Sequence, residues 1–122
     1  MSKNQNFPTR LRFALNGIRS ALKNEHSFRA QFIAAITAIV ILILLRASLI
    51  WLGIFILIIA LILSFELMNT ALENFIDHLH PNKDPKIGLA KDCAAGAVLI
   101  LCFASVILFF IFLLDRFAFF KN

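Results

Sequence analysis

Charge is scarce in this 122-residue chain: Asp, Glu, Lys and Arg make up 16% of it, against 61% hydrophobic residues and a mean hydropathy of +0.87. Ordinary water-facing domains carry about a quarter of their residues charged, so a soluble globular monomer is excluded. Disorder is excluded as well, because so apolar a chain has too little polar sequence to stay solvated and expanded. Cysteine is equally sparse. Cys93 and Cys102 sit nine apart in an apolar stretch, a spacing that suits neither a metal knuckle nor a disulfide framework, and both are expected to be buried thiols. Only four glycines occur, Gly17, Gly53, Gly88 and Gly96, and none is spaced to cradle phosphates with backbone amides. A Walker-type loop is therefore absent. The first thirty residues are basic and mixed, unlike a secretory leader, so the first apolar segment is expected to remain as structure. The class left is an all-α integral membrane protein, read as one domain over 1–122 without repeats or linkers.

Three apolar segments supply its spans, since a membrane helix needs about 20 largely apolar residues to cross a core of about 30 Å. The third is the clearest: Cys93 to Leu114 carries no charge and stops at Asp115 and Arg116. The first is short and leans on Arg46 snorkelling at its end. The second begins near Trp51, an interfacial anchor, and continues beyond Phe65 as a polar helix until Pro81 and Pro85 end it. The expected spans are 30–46, 49–70 and 92–114, preceded by an amphipathic surface helix over 9–28. In that helix Arg12, Asn16, Arg19, Lys23 and His26 fall within about 80° of one another, with Leu11, Leu15, Ile18 and Leu22 opposite. A basic face of this kind suits anionic headgroups. Glu25 breaks the pattern by projecting with Ala14 and Ile18, where a carboxylate is unfavourable unless it meets a cation or a metal.

The net charge of +5 is mostly orientation. Lys3, Arg10, Arg12, Arg19, Lys23 and Arg29 precede the first span and Lys83, Lys86 and Lys91 separate the second from the third, while only Arg46, Arg116 and Lys121 lie opposite. The positive-inside rule places the N-terminus and the 66–92 region in the cytoplasm. Nucleic acid is excluded as a partner, because the basic residues flank apolar runs and do not form a water-exposed patch.

The chemistry concentrates between Phe65 and His80. Glu66, Asn69, Glu73, Asp77 and His80 are spaced 3, 4, 4 and 3 apart and share one arc of about 80°. Stacked carboxylates repel one another, and each costs up to about 2.5 to 3.5 kcal/mol at full membrane depth. A cation must compensate them. Lys91 is one; a divalent metal is the other, and hard oxygen ligands suit Mg²⁺. Carboxylates at the cytoplasmic surface with a Lys-Asp pair at the head of the next span are what a Mg-nucleotide requires. A transporter or channel subunit, with Glu66 and Glu73 lining a cation path, remains the non-enzymatic alternative. Lys91-Asp92 and Glu25 argue against it, because an ion path does not need them. His26, His78 and His80 lack a zinc-site spacing, and the many Phe residues from Phe103 to Phe120 are expected to face lipid.

Three blocks carry a resemblance: Asn24-Glu25-His26-Ser27-Phe28-Arg29; Glu66-Leu67-Met68-Asn69-Thr70-Ala71-Leu72-Glu73 followed by Asp77; and Ala90-Lys91-Asp92-Cys93-Ala94-Ala95-Gly96-Ala97-Val98. In order and spacing the chain resembles the small prokaryotic diacylglycerol kinases over roughly residues 10–114. The resemblance implies a homotrimeric inner-membrane enzyme, with a surface helix and three spans per subunit, that moves the ATP γ-phosphate to a lipid hydroxyl. It implies Glu66 as catalytic base, Glu25 and Glu73 as the Mg²⁺ pair, and Asn69, Glu73, Asp77, Lys91 and Asp92 at the nucleotide. Lys91 would pair with phosphate, and Asp92 would orient it or accept a hydrogen bond from the nucleotide. Asn82, Lys83 and Asp84 match a nucleotide loop of relatives with different residues. Arg19, Phe28, Arg29, Glu66 and Ala95 correspond to the lipid side. One departure bears on the acceptor: Ala94-Ala95-Gly96-Ala97 stands where the best-known diacylglycerol kinases carry Gly-Ser-Ala-Ala, which removes a hydroxyl. Undecaprenol kinases of the same family often read Ala-Ala-Gly-Ala there and Lys-Asn-Glu earlier, as Lys23-Asn24-Glu25 does here. Gly96 and its alanines also suit close helix packing.

Overall fold

Asn6 starts the first helix: its side-chain oxygen accepts the Thr9 amide at 3.2 Å, and Pro8 occupies the first turn, where its missing N–H is no loss. In this computed structural model, which describes residues 4–117, four helices follow one another: α1 (Phe7–Asn24), α2 (His26–Leu44), α3 (Leu49–Leu79) and α4 (Pro85–Phe117). The fold is all-α, as expected. Lys3, Lys121, Phe119 and Phe120, which entered the sequence reading, lie outside the described residues.

α2, α3 and α4 are each long and apolar enough to cross a membrane, and the chain is a multi-pass membrane protein. The boundaries differ from the expected ones for identifiable reasons. The surface helix stops at Asn24, because Glu25 is extended (φ −101°, ψ 113°) and serves as the last cap of α1 and the first of α2. The first membrane helix therefore begins at His26. Pro85, with Asp84 before it, does not end a helix. Together they start α4: Asp84 Oδ1 accepts the Lys86 amide at 2.8 Å, the Asp84 carbonyl accepts the Gly88 amide, and Pro85 takes the first helical position. α3 with 31 residues and α4 with 33 are about 46 and 50 Å long, well beyond a core of about 30 Å. Both carry polar helix out of the apolar zone at the same end.

Short turns make the three spans antiparallel neighbours, with α3 packing on both α2 and α4. The α2–α3 turn closes with Arg46 in the left-handed region (φ 53°), the Ala47 amide donating to the Leu42 carbonyl and Arg46 to Ile43. Arg116 Nε donates to the Leu45 carbonyl at 2.7 Å and the Trp51 indole donates to Asp115 at 2.7 Å, so the end of α4 is fastened to this turn. The core lies in the same half. Leu42, Phe55, Ile58, Ile62 and Phe112 are buried together, and the rings of Trp51, Phe55, Phe109 and Phe112 meet tilted or edge-to-face with centroids 5.5 to 6.4 Å apart. Phe109 and Phe112 thus turn inward, contrary to the expected lipid-facing run. Phe103, Phe110 and Phe117 do face outward. Cys93 is exposed on the chain and not buried, because the polar start of α4 has no neighbour on that side; Cys102 is half-buried and receives a hydrogen bond from Gln31 at 3.4 Å. A Cβ added at Gly96 would meet nothing within 4 Å, so the position itself is open to a further neighbour.

Candidate active site

α3 holds the site together, since a single uninterrupted helix keeps Glu66, Asn69, Glu73 and Asp77 in phase. At 1.5 Å per residue the four span about 16 Å along its axis. Exposure rises along that line. Glu66 is 5% exposed and is the one buried charged side chain among the described residues, Asn69 and Glu73 are half-buried, and Asp77 is exposed. Asn69 Oδ1 is buried without a hydrogen-bond partner, midway between the two glutamates. A buried carbonyl oxygen left without a partner costs about 1 to 3 kcal/mol, so this acceptor is available to a ligand. His80 caps α3 after the helix ends, so it leaves the stripe on which its spacing placed it.

The α1–α2 elbow reaches α3 at the upper end of this line. α2 has 19 residues and runs antiparallel to α3 from a short turn, which sets its first residue level with about Leu67. Glu25 is therefore brought near the height of Glu66 and Asn69, and α1 packs on both α2 and α3. Arg29 fixes the elbow. Its Nη1 donates to the Lys23 carbonyl at 2.6 Å and to Leu22 at 3.4 Å, a cation placed on the carbonyl end of α1. Phe28 is 2% exposed and wedged in the chain's interior.

At the lower end an open hollow of about 510 Å³ lies between the end of α3, the connecting turn and the start of α4. Asp77, His80, Asn82, Lys83, Asp84 and Lys91 line it. Lys91 Nζ forms an ion pair with Asp77 Oδ1 across the hollow. Lys91 thus meets the stripe, as charge compensation requires, but through its outermost carboxylate.

A model of the family described as prokaryotic diacylglycerol kinase matches residues 12–113. The chain belongs to that family. It is 31% identical to the diacylglycerol kinase of Escherichia coli over 105 residues, 86% of each chain. Against the diacylglycerol kinase of Synechocystis it is 34% identical over 97 residues, 79% of this chain and 55% of that one, so it spans about half the length of this relative. It is also 36% identical over 93 residues, 75% of each chain, to the undecaprenol kinase of Bacillus subtilis.

Set against the family's expected site, the residues fall into three groups. Asp77, Asn82, Lys83, Asp84 and Lys91 gather around one hollow, while Asn69 and Glu73 lie above it on α3. Asp84 is also committed to capping α4. Asp92 points elsewhere: it is exposed, does not line the hollow, and Asp77 takes the place beside Lys91 that sequence adjacency assigned to it. On the lipid side, Phe28 is interior, Arg29 is held by α1, and Arg19 and Ala95 are exposed. The off-phase argument for Glu25 does not apply, since the helix has ended before it. Ile87 and Gly88 line the hollow without having stood out in the sequence; the start signal Asp84-Pro85 marks 85–91 as helical and places them beside Lys91.

For Mg²⁺ the donor set fits. Among the described residues no three His, Cys, Asp or Glu side chains converge, which is not the arrangement of a closed protein cage. Mg²⁺ keeps several waters and takes one or two carboxylates plus substrate phosphates, and Glu25, Glu73 and the unpartnered Asn69 oxygen are hard donors of that kind.

Proposed function

We propose that the chain is an ATP-dependent lipid kinase that phosphorylates the hydroxyl of diacylglycerol to give phosphatidic acid. The observation that carries this reading is the line on α3: a buried carboxylate at one end and, at the other, a hollow bordered by Asp77, His80, Asn82, Lys83, Asp84 and Lys91. Glu66 sits where a lipid hydroxyl arrives from the bilayer. It accepts that hydroxyl's proton as the oxygen attacks the γ-phosphorus in line and ADP leaves. Lys91 faces phosphate, Asn69 and Glu73 border the nucleotide, and Asn82, Lys83 and Asp84 lie at its outer end. Glu25 and Glu73 would hold Mg²⁺, which when bound neutralises charge developing on the phosphates. Arg29 sets the elbow from which Glu25 projects, with Arg19, Phe28 and Ala95 on the acceptor side.

The basic residues of α1 and of the 80–91 segment support a cytoplasmic position for this end of the bundle, on the side where ATP is. The half-covered stripe supports an oligomer, which we read as the homotrimer that the resemblance implies. One subunit leaves Glu73 and the Gly96 face without a covering helix, and polar helix at membrane depth needs one.

A second acceptor, undecaprenol, is favoured by Ala94-Ala95-Gly96-Ala97 and by the similarity to an undecaprenol kinase. Purified protein in mixed micelles, given γ-labelled ATP and each lipid separately, tests both. Label on diacylglycerol is expected; label on undecaprenol alone selects the second acceptor, and label on neither refutes the kinase reading.

A further inference from the structure

Asp77 is grouped with the nucleotide residues by its position, yet its chemistry sits badly with direct contact. A carboxylate beside a polyphosphate is a like charge, and its repulsion is offset only by a cation between the two. That cation is already engaged: Lys91 Nζ pairs with Asp77 Oδ1. The other acid lining the hollow, Asp84, has one oxygen on the Lys86 amide, and Lys83 and His80 are exposed at the rim. Lys91 is the less exposed partner, with 30% of its side chain accessible against 62% for Asp77. Water can therefore take over Asp77 readily when Lys91 turns to another anion.

Resting on the nucleotide-site reading above, we propose that Asp77 is a positioning residue that competes with nucleotide phosphate for Lys91, and does not itself touch the nucleotide. Nucleotide binding then exchanges one Lys91 partner for another, and the same exchange in reverse helps ADP leave. The pair also joins the end of α3 to the start of α4, so Lys91 is held at the hollow and its chain is ordered before phosphate arrives.

The sign of one measurement decides. Exposed ion pairs contribute about 0.2 to 1 kcal/mol, so Asp77→Asn should tighten Mg-ADP binding about 1.5- to 5-fold, measured calorimetrically on the full-length protein in micelles at low salt. KM for Mg-ATP should fall by a similar factor, and kcat should fall where ADP release limits turnover. In a Lys91→Met background the same substitution should change affinity by less than about 1.3-fold, because the effect travels through Lys91. Asp77→Glu, which keeps the charge, should return affinity to the wild-type value. Weaker binding by Asp77→Asn overturns the proposal, since a direct contact would then have been lost. Tightening that persists without Lys91 overturns it too, as a through-space effect of charge alone. A wild-type protein that binds no Mg-ADP removes the nucleotide site and this proposal together, whereas lipid phosphorylation by the wild type with weakened Asp77→Asn leaves the kinase reading intact.

Discussion

Replacing Glu66 by Gln separates three properties that its position couples. The side chain is 5% exposed, and no ion pair reaches it among the described residues. Gln keeps the shape and removes the proton acceptor. A general base contributes about 10² to 10⁴ in rate, or about 3 to 5 kcal/mol of barrier, so kcat for labelled-phosphate transfer should fall by that factor. Nucleotide affinity should hardly move, because Asp77 and the hollow lie about 16 Å further along α3 and share no contact with Glu66. Mg-ADP titration should give a Kd within about twofold of wild type, within the range of additivity for separated sites. Stability should rise. A carboxylate at full depth costs up to about 3.5 kcal/mol and less near the interface, so exchanging it for an amide should raise resistance to denaturant by up to about 2 kcal/mol. A variant inactive, tight-binding and more stable matches a base retained at the expense of stability. The reasoning is refuted if Glu66→Gln loses Mg-ADP affinity in step with turnover, which would make Glu66 a nucleotide or metal ligand. It is equally refuted if more than a tenth of turnover survives.

Two further substitutions test the ends of the bundle separately. Glu73→Gln should raise the Mg²⁺ concentration for half-maximal activity by roughly tenfold, the loss expected when a metal's carboxylate becomes an amide; an unshifted Mg²⁺ titration would remove Glu73 from the metal site. Phe112→Ala deletes a ring that is 1% exposed amid Trp51, Phe55 and Phe109, and should cost about 3 to 5 kcal/mol in denaturant unfolding. A cost under about 1 kcal/mol would mean that this cluster does not hold α3 and α4 together.

Much of the fold was legible because hydropathy and helical phase are local properties. The three spans follow from apolar runs, and the Glu66–Asp77 stripe follows from spacing, since nothing in α3 interrupts a 3.6-residue repeat between Leu49 and Leu79. What periodicity does not contain is where a helix breaks and how neighbouring helices align. The phase of α1 does not carry through Glu25, where the chain is already extended, and the carboxylate beside Lys91 is Asp77 of α3 and not its sequence neighbour Asp92. Register is set mainly at the opposite end of the molecule. Arg116 on the Leu45 carbonyl, Trp51 on Asp115, and the ring cluster around Phe112 fix how far α4 slides along α3. A slip of one turn would move Lys91 by about 5.4 Å along α3, enough to take it from Asp77 to the level of Glu73. Contacts at the far end of the bundle therefore decide which carboxylate the lysine neutralises. The residues that determine this register carry no chemistry of their own, and for that reason no motif marks them in the sequence.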